Sequence, residues 1–136
     1  MQNSSFQIVE RVPAVSEYLA LREAAGWGRP DEDLAERGLA GALFTVCALH
    51  EGKVVGCARV IGDGALYFYL QDVIVLPQFQ GKGLGKRLME PIMRYLDEHA
   101  LPGSFAGLMA AEGVSGFYRQ FGFAVRPPGR PGMFRR

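Results

Sequence analysis

Apolar residues recur at helical spacing over Leu84, Leu88, Ile92 and Leu96, with Met89 and Tyr95 beside them. That period predicts an amphipathic helix running to about His99. Before it, Leu66–Val75 reads as a long strand that opens on Tyr67, Phe68 and Tyr69. Regular alternation puts Gln71, Val73 and Val75 on one face and Leu70, Asp72 and Ile74 on the other. Pro77 has no N–H for a sheet ladder and ends the strand. Gly81, Gly83 and Gly85 fill the turn between strand and helix.

The remaining pattern builds around this unit. Ser5–Val12 alternates weakly and predicts an edge strand, stopped by Pro13, which suits the first turn of a helix. Val15, Tyr18, Leu19 and Leu21 predict that helix, with Gly26 as its stop. After the loop Trp27–Pro30, Asp31 is placed to cap a short helix over Glu32–Arg37, ended by Gly38. Leu43–Leu49 and Val54–Ile61 form a hairpin around His50–Lys53. Gly62–Gly64 turns the chain into the long strand. Beyond the Pro102–Gly103 break, Phe105–Met109 predicts a short strand. Glu112 opens a helix carrying Val114, Phe117, Tyr118 and Phe121, closed by Gly122. Phe123–Val125 starts a last strand, and Met133–Phe134 pairs back at the edge after the loop 127–132. Hairpins imply antiparallel pairing, and the helix after residue 83 implies a parallel crossover. The expected fold is α/β (α+β): a mixed, mainly antiparallel sheet with helices on both faces, in a single domain over residues 1–136.

Composition changes this picture little. Hydrophobic residues make up 49% of the 136 and charged residues 21%, as in a soluble globular protein. The formal net charge of +1 gives no electrostatic case for nucleic acid. No apolar run reaches membrane-spanning length, and the first six residues lack the layout of a signal peptide, so a cytoplasmic protein without a membrane role is expected. Cys47 and Cys57 flank a hairpin turn and read as reduced, buried thiols. His50 and His99 have no partners at metal spacing, so no metal is expected.

The glycine turn carries the first chemical signal. Unsatisfied N–H groups and the helix dipole favour an anion there, and glycines let a bulky pyrophosphate approach the backbone. Two phosphate motifs fail. A P-loop needs Ser or Thr after its Gly-Lys pair, and here Lys86 is followed by Arg87. A dinucleotide fingerprint needs a third glycine where Lys86 or Leu88 stands.

Gln80-x-x-Gly83-x-Gly85, after a strand ending Val75-x-Pro77, resembles motif A of the GCN5-related N-acetyltransferases (the GNAT superfamily). Phe117-Tyr118-x-x-Phe121-Gly122-Phe123 is similar to the family's motif B, and the order of elements between and before the motifs fits. The resemblance covers essentially the whole chain. It implies acetyl-CoA as cosubstrate, with the backbone of Gly81, Lys82, Gly83, Leu84, Gly85 and Lys86 around the pyrophosphate and Gln80 at the motif's start. Lys82 and Lys86 would either add charge toward the phosphates or remain solvated. Val73, Ile74 and Val75 would pair with the pantetheine arm where the strand splays from its neighbour, and a freed N–H there would stabilise an oxyanion.

Tyr118 takes the general-acid role in this resemblance, since a phenol can protonate the leaving thiolate; its alternative is a core aromatic. The base is open. Some relatives place Glu or His at the Gln71 position, where an amide cannot serve. Asp72 would face the other side of a regular strand unless a bulge re-aims it, and it reads equally as a structural carboxylate. A water held by Gln71, Tyr69 and backbone carbonyls is the other route. Many relatives carry Asn at the position of Ala111. The acceptor side would be built from Trp27, Phe68, Tyr69, Gln71 and the Pro127–Met133 segment; aromatic walls suit a small amine with an apolar body. Trp27 reads alternatively as helix packing. Arg126, Arg130, Arg135 and Arg136 make the tail basic, either for acidic ligands or as a solvated tail.

Two functions follow. One is direct transfer of acetyl from acetyl-CoA to a primary amine, of small-molecule or protein origin, with small molecules favoured. The other is a catalytically silent acyl-CoA-binding regulatory module. By analogy with the family, a homodimer is compatible with either.

Overall fold

A computed structural model describes residues 5–135. The element order is β1 (Phe6–Val9), α1 (Val15–Ala24), α2 (Glu32–Ala40), β2 (Phe44–His50), β3 (Lys53–Gly62), β4 (Tyr67–Val75), α3 (Leu84–His99), β5 (Phe105–Gly107) and α4 (Ser115–Arg119), with a 3-10 turn at Pro77–Phe79. The strands form one sheet in the order β1-β2-β3-β4-β5. The first three pairings are antiparallel and the last, β4 with β5, is parallel. The mixed, mainly antiparallel sheet expected from the pattern is therefore the one present. No helix among the described residues is long and apolar enough to cross a membrane.

Each face of the sheet is buried by its own helices. On one face, Leu84, Leu88, Met89, Ile92 and Leu96 of α3 pack on Val46, Ala48, Ala58, Val60, Phe68 and Leu70. On the other, Leu21 of α1 packs on Cys47, Cys57 and Ile74, and Tyr18 and Leu19 join Ala35 and Leu39 of α2. The two cysteines are opposite one another on β2 and β3 and are free thiols. Burial pushes the Cys47 thiol up to about 11, and it raises Cys57 as well. Ile92 sits at the centre of α3 with none of its surface exposed. Ile92→Ala should cost about 2–5 kcal/mol, because the cavity it leaves is walled by sheet and helix; urea unfolding measures this.

Local chemistry sets the element ends. Asp31 caps α2, its carboxylate accepting from the backbone of Asp33 and Leu34 at 3.1 and 3.3 Å. Gly26 ends α1 at a φ of +78°, and the Gly26 and Trp27 amides donate back to Glu23 and Arg22, which is the Schellman arrangement.

Four expectations need correction. Helix α2 runs through Gly38 to Ala40, because Ala35 and Leu39 bury together across that glycine. Pro13 lies outside α1, whose cap is Ala14. Glu112 precedes α4, which starts at Ser115. Residues 123–125 and 133–134 form no strand, and β5 is the last strand among the described residues. The tail instead makes its own turn, with the Arg130 amide donating to Pro127 and the Arg126 guanidinium to the Arg130 carbonyl.

Candidate functional site

The site begins with a break in the alternation of β4. Cys57 pairs with Ile74 and Arg59 with Gln71, so Asp72 and Val73 together face the single residue Ala58. This is a β-bulge. Asp72 takes a φ of +59° at it, a left-handed conformation that Asp tolerates better than most side chains. The bulge flips the strand. Before it, Phe68 and Leu70 face α3; after it, Val73 and Val75 do. Ile74 turns to α1, and Asp72 points the same way, to Tyr18 of α1. The expected grouping of Gln71 with Val73 and Val75 is thus overturned.

The second break is the end of β5. It pairs with β4 only over Tyr67–Tyr69, while β4 continues to Val75. The two strands part beyond Tyr69, leaving the β4 edge at 70–75 without a strand partner on that side. A cleft of about 680 Å³ opens there. Its walls are the β4 edge, the glycine turn, the 108–111 segment and α4.

The glycine turn forms one end of the cleft. Gly81 and Gly83 have φ of +80° and +81°, and a Cβ on either would meet nothing within 4 Å. Both need glycine for conformation, and both look onto open space. Gly85 is different: a Cβ there would lie 3.3 Å from the Phe117 ring of α4. Gly83 caps α3 with no side-chain hydrogen bond, and the first amide of the helix to find a backbone acceptor is that of Arg87. The amides of Gly81 to Lys86 have no protein acceptor among the described residues. Gly81, Gly83, Leu84, Gly85 and Lys86 line the cleft, and free amides at a helix start favour an anion there. The Gln80 amide group donates to the Val75 carbonyl at 3.0 Å and ties the turn to the strand. Lys86 lines the cleft, whereas Lys82 is exposed and outside its walls.

Tyr118 stands on the opposite wall. Its ring packs edge-on against Phe117 and Phe123, with centroids 5.1 and 6.3 Å away. Burial raises its phenol above the ordinary tyrosine range, so it carries its proton at neutral pH.

Trp27, Gln71 and Asp72 also line the cleft. Asp72 gives only backbone to that wall, for its side chain is 0% exposed. Its Oδ2 accepts from the Tyr18 hydroxyl and from Arg59 Nε, both at 2.7 Å. Gln71 Nε2 donates to Oδ1 at 3.3 Å, and Arg22 lies 3.8 Å from the same oxygen. Tyr69 is not in the cleft wall; its hydroxyl is buried without a partner. Burial raises its phenol above the ordinary tyrosine range. Phe68 is not brought to the site at all. At 1% exposure it is core, packed under α3, because even positions before the bulge face inward. Ile74 is buried against Leu21, Cys47 and Cys57 and is not in the cleft wall. Arg126 and Arg130 are exposed on the tail, and Arg136 lies outside the described residues. Among the described residues no group of three His, Cys, Asp or Glu side chains could hold a metal.

The sequence reading missed Tyr18, Arg22 and Arg59. Arg59 carried a signal: a lone cation inside the apolar strand Val54–Ile61 needs a buried acid.

Residues 40–125 match the model of a family described as the acetyltransferase (GNAT) domain. A histone acetyltransferase of Glycine max is 37% identical over 130 residues, covering 85% of this chain and 54% of that protein. A chloroplastic serotonin N-acetyltransferase of Oryza sativa is 40% identical over 82 residues, covering 60% of this chain and 40% of that protein. The chain spans about half the length of the curated relatives it matches, between 32% and 64% for the first three. A crystal structure of a Staphylococcus aureus protein of unknown function, described as a probable acetyltransferase, superposes with a TM-score of 0.91 at 34% identity, covering 96% of this chain and 98% of that one.

Proposed function

This chain belongs to the GCN5-related N-acetyltransferase family, and from that premise we propose that it transfers the acetyl group of acetyl-CoA to a primary amine. The observation that carries the reading is the continuity of one cleft. The start of α3 with its free amides, the unpaired β4 edge and Tyr118 all line it. These residues fit acetyl-CoA. The 81–86 amides and Lys86 would hold its pyrophosphate, and the Val73–Val75 edge its amide-bearing arm. The thioester supplies an activated acetyl group with a thiolate leaving group.

The amine nitrogen attacks the thioester carbon, the C–N bond forms and the C–S bond breaks. Tyr118 gives its phenolic proton to the sulfur. The amine sheds its surplus proton to a water beside Gln71, and Tyr118 regains one from solvent. No side chain of this site is acylated in the scheme. Trp27 and Gln71 form the acceptor wall, which favours a small amine with an apolar body. The histone and serotonin activities named for relatives support an amine acceptor of either class.

The experiment is thiol release from acetyl-CoA across an arylalkylamine, a polyamine and a lysine-containing peptide, together with a thermal shift by CoA. Expected are a rise in melting temperature with CoA and turnover greatest with the arylalkylamine. CoA binding with no turnover for any amine would instead assign a silent acyl-CoA-binding module. No thermal shift by CoA would overturn the cleft assignment itself.

A further inference from the structure

One carboxylate ties together the two walls that any acceptor must meet. Asp72 fixes the bulge of β4 on the donor side. Through Arg22 it reaches the loop that carries Trp27, since Arg22 donates to the carbonyls of Trp27 at 2.9 Å and Gly28 at 3.4 Å. Through Arg59 it reaches α2, where the guanidinium donates to the Gly38 carbonyl at 3.1 Å. The Tyr18 ring lies between the two cations, 5.9 Å from Arg22 and 5.7 Å from Arg59. The Cys57 thiol meets the backbone carbonyl of Asp72 at 3.3 Å, closing the bulge from β3.

This arrangement disqualifies Asp72 as the base for the amine. Neither oxygen reaches the cleft, because the side chain is fully shielded. One oxygen already takes two short hydrogen bonds, and the other faces an amide and a cation. A carboxylate has about four lone-pair sites; three take hydrogen bonds here, and the Arg22 cation faces the oxygen that has room for another. A proton on Asp72 would also strip two guanidiniums of their counter-charge in a buried setting.

We propose that Asp72 is a positioning residue: with Tyr18, Arg59 and Arg22 it locks the β4 bulge to the Trp27 loop, so that donor wall and acceptor wall keep one fixed separation. The left-handed backbone at Asp72 persists because these three partners, from α1 and β3, hold its side chain. The Trp27 loop has a Gly on either side, Gly26 and Gly28, both at positive φ, and Arg22 is the side chain that pins its carbonyls. The inference rests on the acetyl-transfer reading, but part of its test does not require turnover.

Trp27 is the one tryptophan of the chain, so its fluorescence reports on the loop alone. The experiment compares wild type with Asp72→Asn, Tyr18→Phe and Arg22→Met. Acrylamide quenching of Trp27 should rise in Asp72→Asn and Arg22→Met, while CoA still raises the melting temperature in all three, with the wild-type shift kept in Arg22→Met. With an arylalkylamine as probe, kcat/KM should fall by about 10–100-fold in Asp72→Asn, since a small misplacement of reacting groups costs that much. Tyr18→Phe, which removes one oxygen far from the amine, should show the same kind of loss to a smaller degree. The acid limb of the pH profile of kcat should keep its place in both. Unchanged quenching in Asp72→Asn and Arg22→Met would overturn the coupling. So would an Asp72→Asn enzyme that has lost the acid limb while Tyr18→Phe matches wild type, because that pattern belongs to a base. Should Asp72→Asn not fold, Tyr18→Phe and Arg22→Met decide the matter. Absence of wild-type turnover would sink the acetyl-transfer reading, and the Trp27 measurement would still decide the lock.

Discussion

In a Gly83→Glu variant, CoA no longer raises the melting temperature, and thiol release from acetyl-CoA drops to background. The expectation comes from three features of one residue. Gly83 is the cap of α3 with φ at +81°, which costs an L residue about 1–2 kcal/mol. A Cβ there meets nothing within 4 Å, so the new side chain has room and the core under α3 is untouched. That room is the anion cradle. A glutamate carboxylate at this point would take up the free amides itself, favoured by the helix dipole, and repel the pyrophosphate. The folded protein should therefore survive without its ligand. Gly83→Ala is the control: it pays the backbone cost, places no anion, and should bind CoA more weakly but measurably by calorimetry. Near-wild-type affinity in Gly83→Glu would show that the phosphates sit elsewhere.

The contrast between this turn and the neighbouring bulge explains what the sequence could disclose. The glycine turn was legible because its cause is local. Positive φ at Gly81 and Gly83 needs glycine there, and the apolar period from Leu84 to Leu96 marks the helix that follows. The hairpin and the Asp31 cap are local in the same sense. A bulge at Asp72 was named only as an alternative to a regular strand, because the partners that fix it are remote: Tyr18 stands 54 residues earlier and Arg59 13 residues earlier. A one-residue slip reverses every face beyond it. Phe68 was read as a pocket wall for a different reason: aromatic content says nothing about which side of a strand faces solvent. The tail misled in another way. Residues 123–125 look like a strand, but pairing needs a neighbour, and the Pro127–Arg130 turn leads the chain off. The parting of β4 from β5, on which the cleft depends, is a matter of where β5 stops at Gly107; no residue type announces it.

Tyr118→Phe should lower kcat by about 10²–10⁴-fold, the usual worth of a positioned proton donor, and leave CoA affinity unchanged. Among the described residues the Tyr118 shift has burial as its sole cause, with no hydrogen bond to the phenol contributing, so removing the oxygen breaks no internal bond. The ring contacts with Phe117 and Phe123 remain. Stability should accordingly stay within about 0.5 kcal/mol of wild type, as for a change that disturbs no packing. The pH dependence follows from the sign of the shift. Burial raises the phenol above its ordinary value of 10.0, and the donor must be protonated to act. The wild-type rate should therefore hold through neutral pH and lose its proton donor only above pH 10. The Phe variant should lack that alkaline limb, since it has nothing there to titrate. Single-turnover measurement of thiol release separates the chemical step from product release. A Tyr118→Phe enzyme with wild-type single-turnover rate would remove Tyr118 from the mechanism and leave the thiolate to depart unprotonated or be met by water. A loss confined to the chemical step, with the CoA thermal shift intact, would place the missing proton at the sulfur.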